Sequence, residues 1–327
     1  MEIRPLRQFK SHELRNLFDQ EREVWQHQLY WDYSEPQRVI SAMVDAGTLP
    51  GFVAMQDGDP VAYTFYVEIS GKGLLGGCFA SEWAAPEGVE HQLLEASIAA
   101  LKRNAALQRV ESQFINFREW PIARFFAGKG FSQFDRCFMV RDCQIDHVHR
   151  RLVTADVKQL SLGDLDDMAK LTVDTYASVI DRRVTYHYQS LAECLEFLSN
   201  LVYRPGCGTF LPEGSYSARD PRTSDLMGYV LTSRISPQDG HIPEIAVAPV
   251  HQGKGLGAEL LGRAVRYLGL NGYQRVSLTV TELNLAALVL YQRFGFSIHF
   301  RFPAFVWERE GQPGKSPSES TRGHSMD

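Results

Sequence analysis

The chain has 327 residues, 44% hydrophobic and 22% charged, with a formal net charge of −5; that length suits two cores of about 150 residues each, and the composition is that of an ordinary globular protein. The negative balance excludes a general nucleic-acid or anionic-membrane footprint. No apolar run approaches the ~18 residues of a membrane span, and Met1-Glu2-Ile3-Arg4-Pro5 lacks the apolar stretch of a signal peptide.

From the N-terminus, Ile3, Leu6, Leu14 and Leu17 read as a short strand running into a helix. Val61–Ile69 and Leu74–Ala80 read as apolar strands. Leu93, Leu94, Ser97, Ile98 and Leu101 then fall on one face of an amphipathic helix. Gly130-Phe131 follows, and Asp146–Leu152 reads as a joint. The pair His147-x-His149 has no further ligand cluster nearby, so it is read as linker and no metal site is expected. The five cysteines (Cys78, Cys137, Cys143, Cys194, Cys207) are odd in number and show no CxxC or Cys/His spacing, which points to reduced thiols in a cytoplasm.

The second half repeats this order. Val157, Leu160, Met168 and Leu171 match the first four positions, and Leu226–Ile235 and Ile242–Ala248 match the two strands. Leu260, Leu261, Ala264, Val265 and Leu268 match the helix stripe, and Gly295-Phe296 matches Gly130-Phe131. The most telling run is Val247-Ala248-Pro249-Val250-His251-Gln252-Gly253-Lys254-Gly255-Leu256-Gly257-Ala258. A strand, Ile245–Ala248, ends at Pro249 and empties into alternating glycines that open a helix. With no side chains over its N–H groups, and at the positive end of a helix dipole, such a turn seats a phosphate or diphosphate. A dinucleotide fingerprint would need glycine at 258, where Ala258 stands, and the GxxxxGK[ST] of a P-loop is absent. Past the helix, Val276-Ser277-Leu278-Thr279-Val280 reads as a buried strand. The series N-x-x-A-x-x-x-Y-x-x-x-G-F follows as Asn284, Ala287, Tyr291, Gly295 and Phe296. Asn284 is placed to cap a helix, Ala287 to permit close approach, Tyr291 one turn further on the same side, and Gly295 to end the helix in a left-handed cap.

The spacing Gln252-x-x-Gly255-x-Gly257 behind a V-x-P strand end resembles the acyl-CoA loop of the GNAT superfamily of acetyltransferases. The Asn284–Phe296 series resembles the second GNAT signature, in the order and at the distance the family shows. The resemblance covers roughly residues 150–309. It implies an α/β (α+β) fold of two tandem GNAT-like domains, each a mixed, mostly antiparallel central sheet flanked by helices. Residues 1–145 are expected to form a degenerate domain without an acyl-CoA loop, 150–309 the catalytic domain, and 310–327 a disordered tail. The architecture is similar to that of mycothiol synthase and other tandem GNAT proteins.

What the resemblance implies for chemistry is specific. Acetyl-CoA is the expected cosubstrate, its diphosphate held by backbone N–H groups of Gln252, Gly253, Lys254, Gly255, Leu256, Gly257 and Ala258, with Lys254 adding charge. Val247 and Ala248 are expected to offer main chain to the pantetheine arm along a strand that splays from its neighbour, with Asn284 on the arm's other side. The reaction is attack of an amine on the thioester, releasing CoA. An alkylamine with a pKa of ~10 is about 0.1% neutral at pH 7, a handicap near 4 kcal/mol. A base must therefore take its proton. Glu244, in His241-Ile242-Pro243-Glu244-Ile245, is the first choice; His241 competes, and water chains are the third route. Tyr291, protonated at neutral pH, is the expected acid for the departing thiolate. Acceptor specificity is expected after Leu171 and in the loop Tyr203–Tyr216. Tyr176, Tyr186, Tyr188 and Phe210 would be its walls, and Asp174 or Asp181 would meet a cation. Cys207 has no partnered His or Asn and is read as a loop thiol.

The first half lacks these groups. Gly253-Lys254-Gly255-Leu256-Gly257 becomes Pro86-Glu87-Gly88-Val89-Glu90, Tyr291 becomes Phe126, and Asn284 becomes Glu119. Proline removes an N–H donor, and the carboxylates repel a phosphate. This half is expected to be a scaffold or a wall of the acceptor pocket. The leading expectation is N-acetylation of a small-molecule primary amine by a cytoplasmic monomer or homodimer, with no nucleic-acid or membrane partner. Acetylation of a protein lysine or N-terminus is the alternative within the family, slightly disfavoured because the loop Arg204–Ser215 is suited to closing over a small molecule. A non-catalytic acyl-CoA sensor is the alternative of another class, although sensing needs no proton donor such as Tyr291.

Overall fold

A computed structural model describes residues 1–82, 88–113, 122–143, 155–204 and 206–309. The first half of the chain runs β1 (Glu2–Pro5), α1 (Arg15–Leu29), α2 (Ser34–Asp45), β2 (Gly51–Gln56), β3 (Asp59–Ile69), β4 (Lys72–Ala80), α3 (Val89–Arg103), β5 (Arg109–Gln113), α4 (Ile122–Gly128) and β6 (Ser132–Asp142). The second runs β7 (Asp156–Gln159), α5 (Leu165–Tyr176), α6 (Asp181–Val184), α7 (Leu191–Tyr203), β8 (Thr209–Phe210), β9 (Tyr216–Arg219), β10 (Leu226–Arg234), β11 (Asp239–Val247), α8 (Leu256–Leu270), β12 (Arg275–Thr281), α9 (Leu285–Arg293) and β13 (Ser297–Glu308). The expected joint with its histidine pair, the positions Pro86, Glu87 and Glu119, and the tail from 310 lie outside the described residues.

The strands form one mostly antiparallel sheet in the order β1-β2-β3-β4-β5-β13-β6-β12-β11-β10-β9-β7, with β8 beside β10. The centre of this order is not what two self-contained halves would give. β6, from the first half, pairs with β12 over Arg136–Asp142. β13, from the second, pairs with β5 over Ala304–Glu308. Each half thus hands its last strand to the other, and the two exchanged strands pair with each other, Cys137 opposite Arg301. Either position offers an apolar strand the same buried surroundings, so alternation along the sequence does not distinguish them.

Helices cover both faces of each half. The α3 stripe Leu93, Leu94, Ile98 and Leu101 is buried with Phe125, Phe126 and Phe131. The α8 stripe Leu260, Leu261, Ala264, Val265 and Leu268 is buried with Tyr291 and Phe296. On the opposite face α1 and α2 pack over β2 and β3 through Leu17, Phe18, Ile40 and Val44. There α5 and α7 pack over β10 and β11 through Met168, Leu171, Cys194 and Leu198. Burying one such aliphatic side chain stabilises by roughly 1.5–3 kcal/mol before its ordering cost. Among the described residues no helix is long and apolar enough to cross a membrane.

Candidate active site

The site starts from a defect in the sheet. β11 pairs with its parallel neighbour β12 only over Asp239–Ile242. Beyond that point it follows β10 alone, to Gly228 opposite Val247. At the parting, Leu231 faces Glu244 and Ser233 faces His241, so Ile242 and Pro243 together oppose Thr232. This β-bulge reverses the alternation of side chains. Ile242 packs among the residues under α8, and so do Ile245 and Val247 after the bulge. Glu244, which strict alternation would place with Ile242, is turned to the α5 side. Pro243 suits the bulge because it has no N–H to leave unpaired.

On that side Glu244 is 3% exposed. It accepts hydrogen bonds from the hydroxyls of Tyr176 at 2.9 Å and Tyr188 at 2.8 Å. Burial pushes its carboxyl up to about 7; the two tyrosine bonds pull it back, and the nearby Asp181 adds to the rise. Asp181 is itself buried. It accepts from Thr281 Oγ1 at 2.5 Å and Asn284 Nδ2 at 2.9 Å. Tyr291 lies within the field of both acids; burial, then Glu244 and Asp181, raise its phenol and keep it protonated. Of the predicted groups, the structure therefore gathers Glu244, Tyr291, Asp181, Tyr176 and Tyr188. Thr281 is the member that no sequence signal marked.

His241 is not gathered with them. It precedes the bulge, where its Nδ1 is 2.9 Å from Ser277 Oγ and its ring packs on Trp31. Burial lowers it to about 4, leaving a neutral imidazole at neutral pH. Tyr186 turns instead toward Lys72 of the first half, whose ammonium stands 4.6 Å over its ring. Phe210 packs with the α5–α7 core, and Asp174 is exposed. The loop expected to close over an acceptor is fastened elsewhere. Leu211 N–H donates to the Thr232 carbonyl, Thr232 Oγ1 to that of Gly214, and Phe210 pairs with Ser233. Cys207 has its thiol pushed up to about 11 by burial, which removes the thiolate a nucleophile needs.

The glycine turn lies directly beyond the parted strand. Gly255 is the N-cap of α8 with φ 92° and no side-chain cap; Gly253 has φ 71°, and a Cβ there would meet nothing within 4 Å. The first amide of the helix to find a carbonyl is Glu259, bonded to Gly255 at 3.0 Å. A row of donors at the positive end of a 15-residue helix, open on the side a Cβ would fill, fits a diphosphate. Two expected contributions need correction. Gln252 gives its N–H to Pro249 and its side-chain amide to the Val247 carbonyl. Ala248 donates to Met227 and accepts from His251. The short helical turn Pro249–His251 takes the Gln252 N–H and the Ala248 carbonyl, and β10 takes the Ala248 N–H, so the open amides begin at Gly253. Lys254 folds back, its ammonium 2.8 Å from the Val250 carbonyl. Gly257 sits inside the first turn, where a Cβ would meet Leu290 and Val247 at ordinary contact distance. Asn284 caps α9, accepting from Ala287 N–H at 3.3 Å. Its amide is tied to Asp181, so it braces an acid of the site instead of reaching outward.

Residues 181–296 match the profile described as the Acetyltransferase (GNAT) family. That segment carries the sequence pattern of the GNAT superfamily. The chain's GNAT segment resembles a mycothiol acetyltransferase of Tsukamurella paurometabola, 38% identical over 101 residues, which are 30% of this chain and 35% of that one. It also resembles a spermine/spermidine N(1)-acetyltransferase of Bacillus subtilis, 28% identical over 141 residues, 39% of this chain and 86% of that one. The chain thus spans about a third of the length of the mycothiol acetyltransferase it matches. Among solved structures, a tandem GNAT protein from the clavulanic acid biosynthesis pathway superposes with a TM-score of 0.60 at 13% identity, covering 97% of this chain and 99% of that one. The fold is that of a tandem GNAT protein.

Proposed function

We propose that the second half is an acetyl-CoA-dependent N-acetyltransferase whose acceptor is a small-molecule primary amine. The observation that carries this reading is a buried carboxylate on the strand that leads into the glycine turn, aimed to the α5 side by the bulge at Pro243, with the protonated phenol of Tyr291 on α9 within its field. Acetyl-CoA supplies the activated thioester. The amides from Gly253 to Ala258 hold its diphosphate, and the open edge of β11 beyond Ile242 lies along its arm.

Glu244 takes the proton of the incoming ammonium. Its carboxyl, raised to about 7, is ionised in a large fraction at neutral pH yet basic enough to accept. Tyr176 and Tyr188 fix its two oxygens; Ile245 N–H also donates to Oε1, so Oε2 is the oxygen that keeps a lone pair for the amine. Tyr291 donates to the departing thiolate, which at a pKa of ~8.5 is a weaker base than a phenolate and is helped most while leaving. Asp181 and Glu244 together give the pocket negative charge, which suits a cationic amine. The names of the relatives, acetyltransferases of mycothiol and of spermine, support an acceptor of that size. A panel of amines, including polyamines and amino sugars, assayed by free-thiol release from acetyl-CoA tests the reading. Release that depends on an amine is expected; a panel that releases none, in protein that binds CoA, sinks it.

A further inference from the structure

The wall of the site that carries Asp181 and Tyr188 does not stand on its own half. Arg109, on β5 and 4% exposed, makes a buried ion pair with Glu111. Its Nη2 donates to the carbonyl of Arg183 at 2.6 Å, and its Nη1 to Glu308 at 2.6 Å. Glu111, 5% exposed, accepts from the backbone N–H of Tyr186. Lys72, opposite Arg109 in the β4–β5 pair, makes an ion pair with Glu193 and covers the Tyr186 ring. Arg183 follows Asp181 by two residues, and Tyr186 precedes Tyr188 by two. Main-chain tethers from the first half thus bracket the stretch between the acid that binds Asn284 and the hydroxyl that binds Glu244.

A buried ion pair is seldom a source of net stability, because desolvation consumes its attraction. Apolar residues would fill β5 as well, so the specific use of this pair is the two backbone groups it holds. The repeat supplies an internal comparison. Arg275 and Asp239 occupy the places of Arg109 and Lys72 in the second half and pair at 2.6 Å. Their reach is toward the turn after α1: the Arg275 guanidinium lies 3.8 Å over Tyr30, and Asp32 N–H donates to Ile235 at 2.7 Å. Each half thus opens its parallel strand pair with an arginine that faces the other half, but Arg275 pairs across the strands with Asp239 and stacks on Tyr30, whereas Arg109 grips main chain of the acceptor wall.

We propose that the Arg109–Glu111 pair is a positioning element for the acceptor site of the other half, holding residues 181–188 so that Tyr188 meets Glu244. This rests on the acetyltransferase reading of that site. The test replaces the whole pair, Arg109→Met with Glu111→Leu, because removing one partner alone would strand a buried charge and threaten folding. In the folded double variant the acceptor KM rises about tenfold, since displacement of a positioning group by an ångström is enough for such a loss. The acidic limb of kcat/KM moves to higher pH, because the Tyr188 bond that holds the Glu244 pKa down is loosened, while CoA affinity is unchanged. Amide hydrogen exchange quickens at 181–188 and stays slow in α5. Arg275→Met with Asp239→Asn is the control: it removes the other half's pair without stranding a charge, and it leaves the acceptor KM and the limb unmoved. An Arg109/Glu111 double variant with wild-type KM, limb and exchange overturns the proposal, as does a loss of CoA affinity in step with KM. If the wild-type protein acetylates no amine, the acetyltransferase reading fails by itself, and exchange at 181–188 still decides whether the tether exists.

Discussion

The two halves carry the same bulge and put opposite things on it. In the second half Ile242 and Pro243 oppose Thr232, and Glu244 turns to the α5 side. In the first, Phe65 faces Gly77 and Tyr66 faces Leu75, so Gly76 is the extra residue. β4 parts from β5 there too, pairing only over Lys72–Leu75. Gly77 stands where Glu244 does, and the Phe65 ring lies so close that a Cβ at Gly76 would be 2.2 Å from it. The likeness continues along the chain. Gly88 is the N-cap of α3 with φ 104°, as Gly255 is for α8 with φ 92°. Gly130 and Gly295 close their helices with φ 79° and 78°. Phe126 takes the place of Tyr291 and stacks on Phe305 with ring centres 4.0 Å apart. The two halves share backbone geometry where it makes the fold, and they differ in that Gly77 and Phe126 stand where the second half carries a carboxylate and a phenol. A strained glycine or a bulge is therefore poor grounds for assigning activity; the side chains they aim are what count.

The sharpest way to break this contrast is Gly255→Glu. A glutamate forced to positive φ, with its carboxylate against a diphosphate, should cost CoA roughly 10²–10³-fold in affinity. Calorimetry should then show the single site per chain vanish; two equal sites in the wild type would contradict a silent first half. Next in size, Tyr291→Phe should lower kcat about 10²-fold while CoA titrates as before, and unchanged turnover would remove the phenol from the mechanism. Glu244→Gln should abolish the rise of activity with pH centred near 7. Stability provides a second readout, with a definite sign. The folded carboxyl is raised from 4.5 to about 7, so the protonated form is favoured by folding. Its contribution is complete below pH 4.5 and is lost as pH climbs through 7. Relief on substitution should thus be on the order of 3 kcal/mol at pH 8 and nil at pH 4; equal melting shifts at both would refute a buried, raised Glu244. The smallest effects come from Gly88→Ala and Gly255→Ala. Each should destabilise by about 1 kcal/mol for its positive φ, and only the second should weaken CoA binding.

Much of the fold was legible because its signals are local. Both helix stripes, Leu93–Leu101 and Leu260–Leu268, are buried as their spacing predicts. Asn284 and Gly295 cap α9 as their residue types require. What was not legible depends on partners distant in sequence. Nothing along Ser132–Asp142 or Ser297–Glu308 tells which half each strand will join. The division of labour at the site was equally hidden. Glu244 was nameable from its position, but its two tyrosine donors come from α5 and from the turn before α7, and the bulge that aims it shows only as Pro243. His241 looked equivalent in sequence and is separated from Glu244 by that one extra residue. The commitments of the Gln252 N–H and the Ala248 carbonyl follow from a single turn of 3₁₀ helix, too short for any periodicity to reveal.

The exchange of β6 and β13 has a practical consequence for anyone dividing this protein. A fragment ending before β7 would keep β6 but leave β5 as a raw edge, and the remainder would keep β13 but leave β12 bare. Unpaired strands of this length recruit whatever strand is offered. The two pieces should be sticky and inert apart, and mixing them should rebuild one enzyme, so that this chain is a natural candidate for a split reporter whose signal requires both fragments.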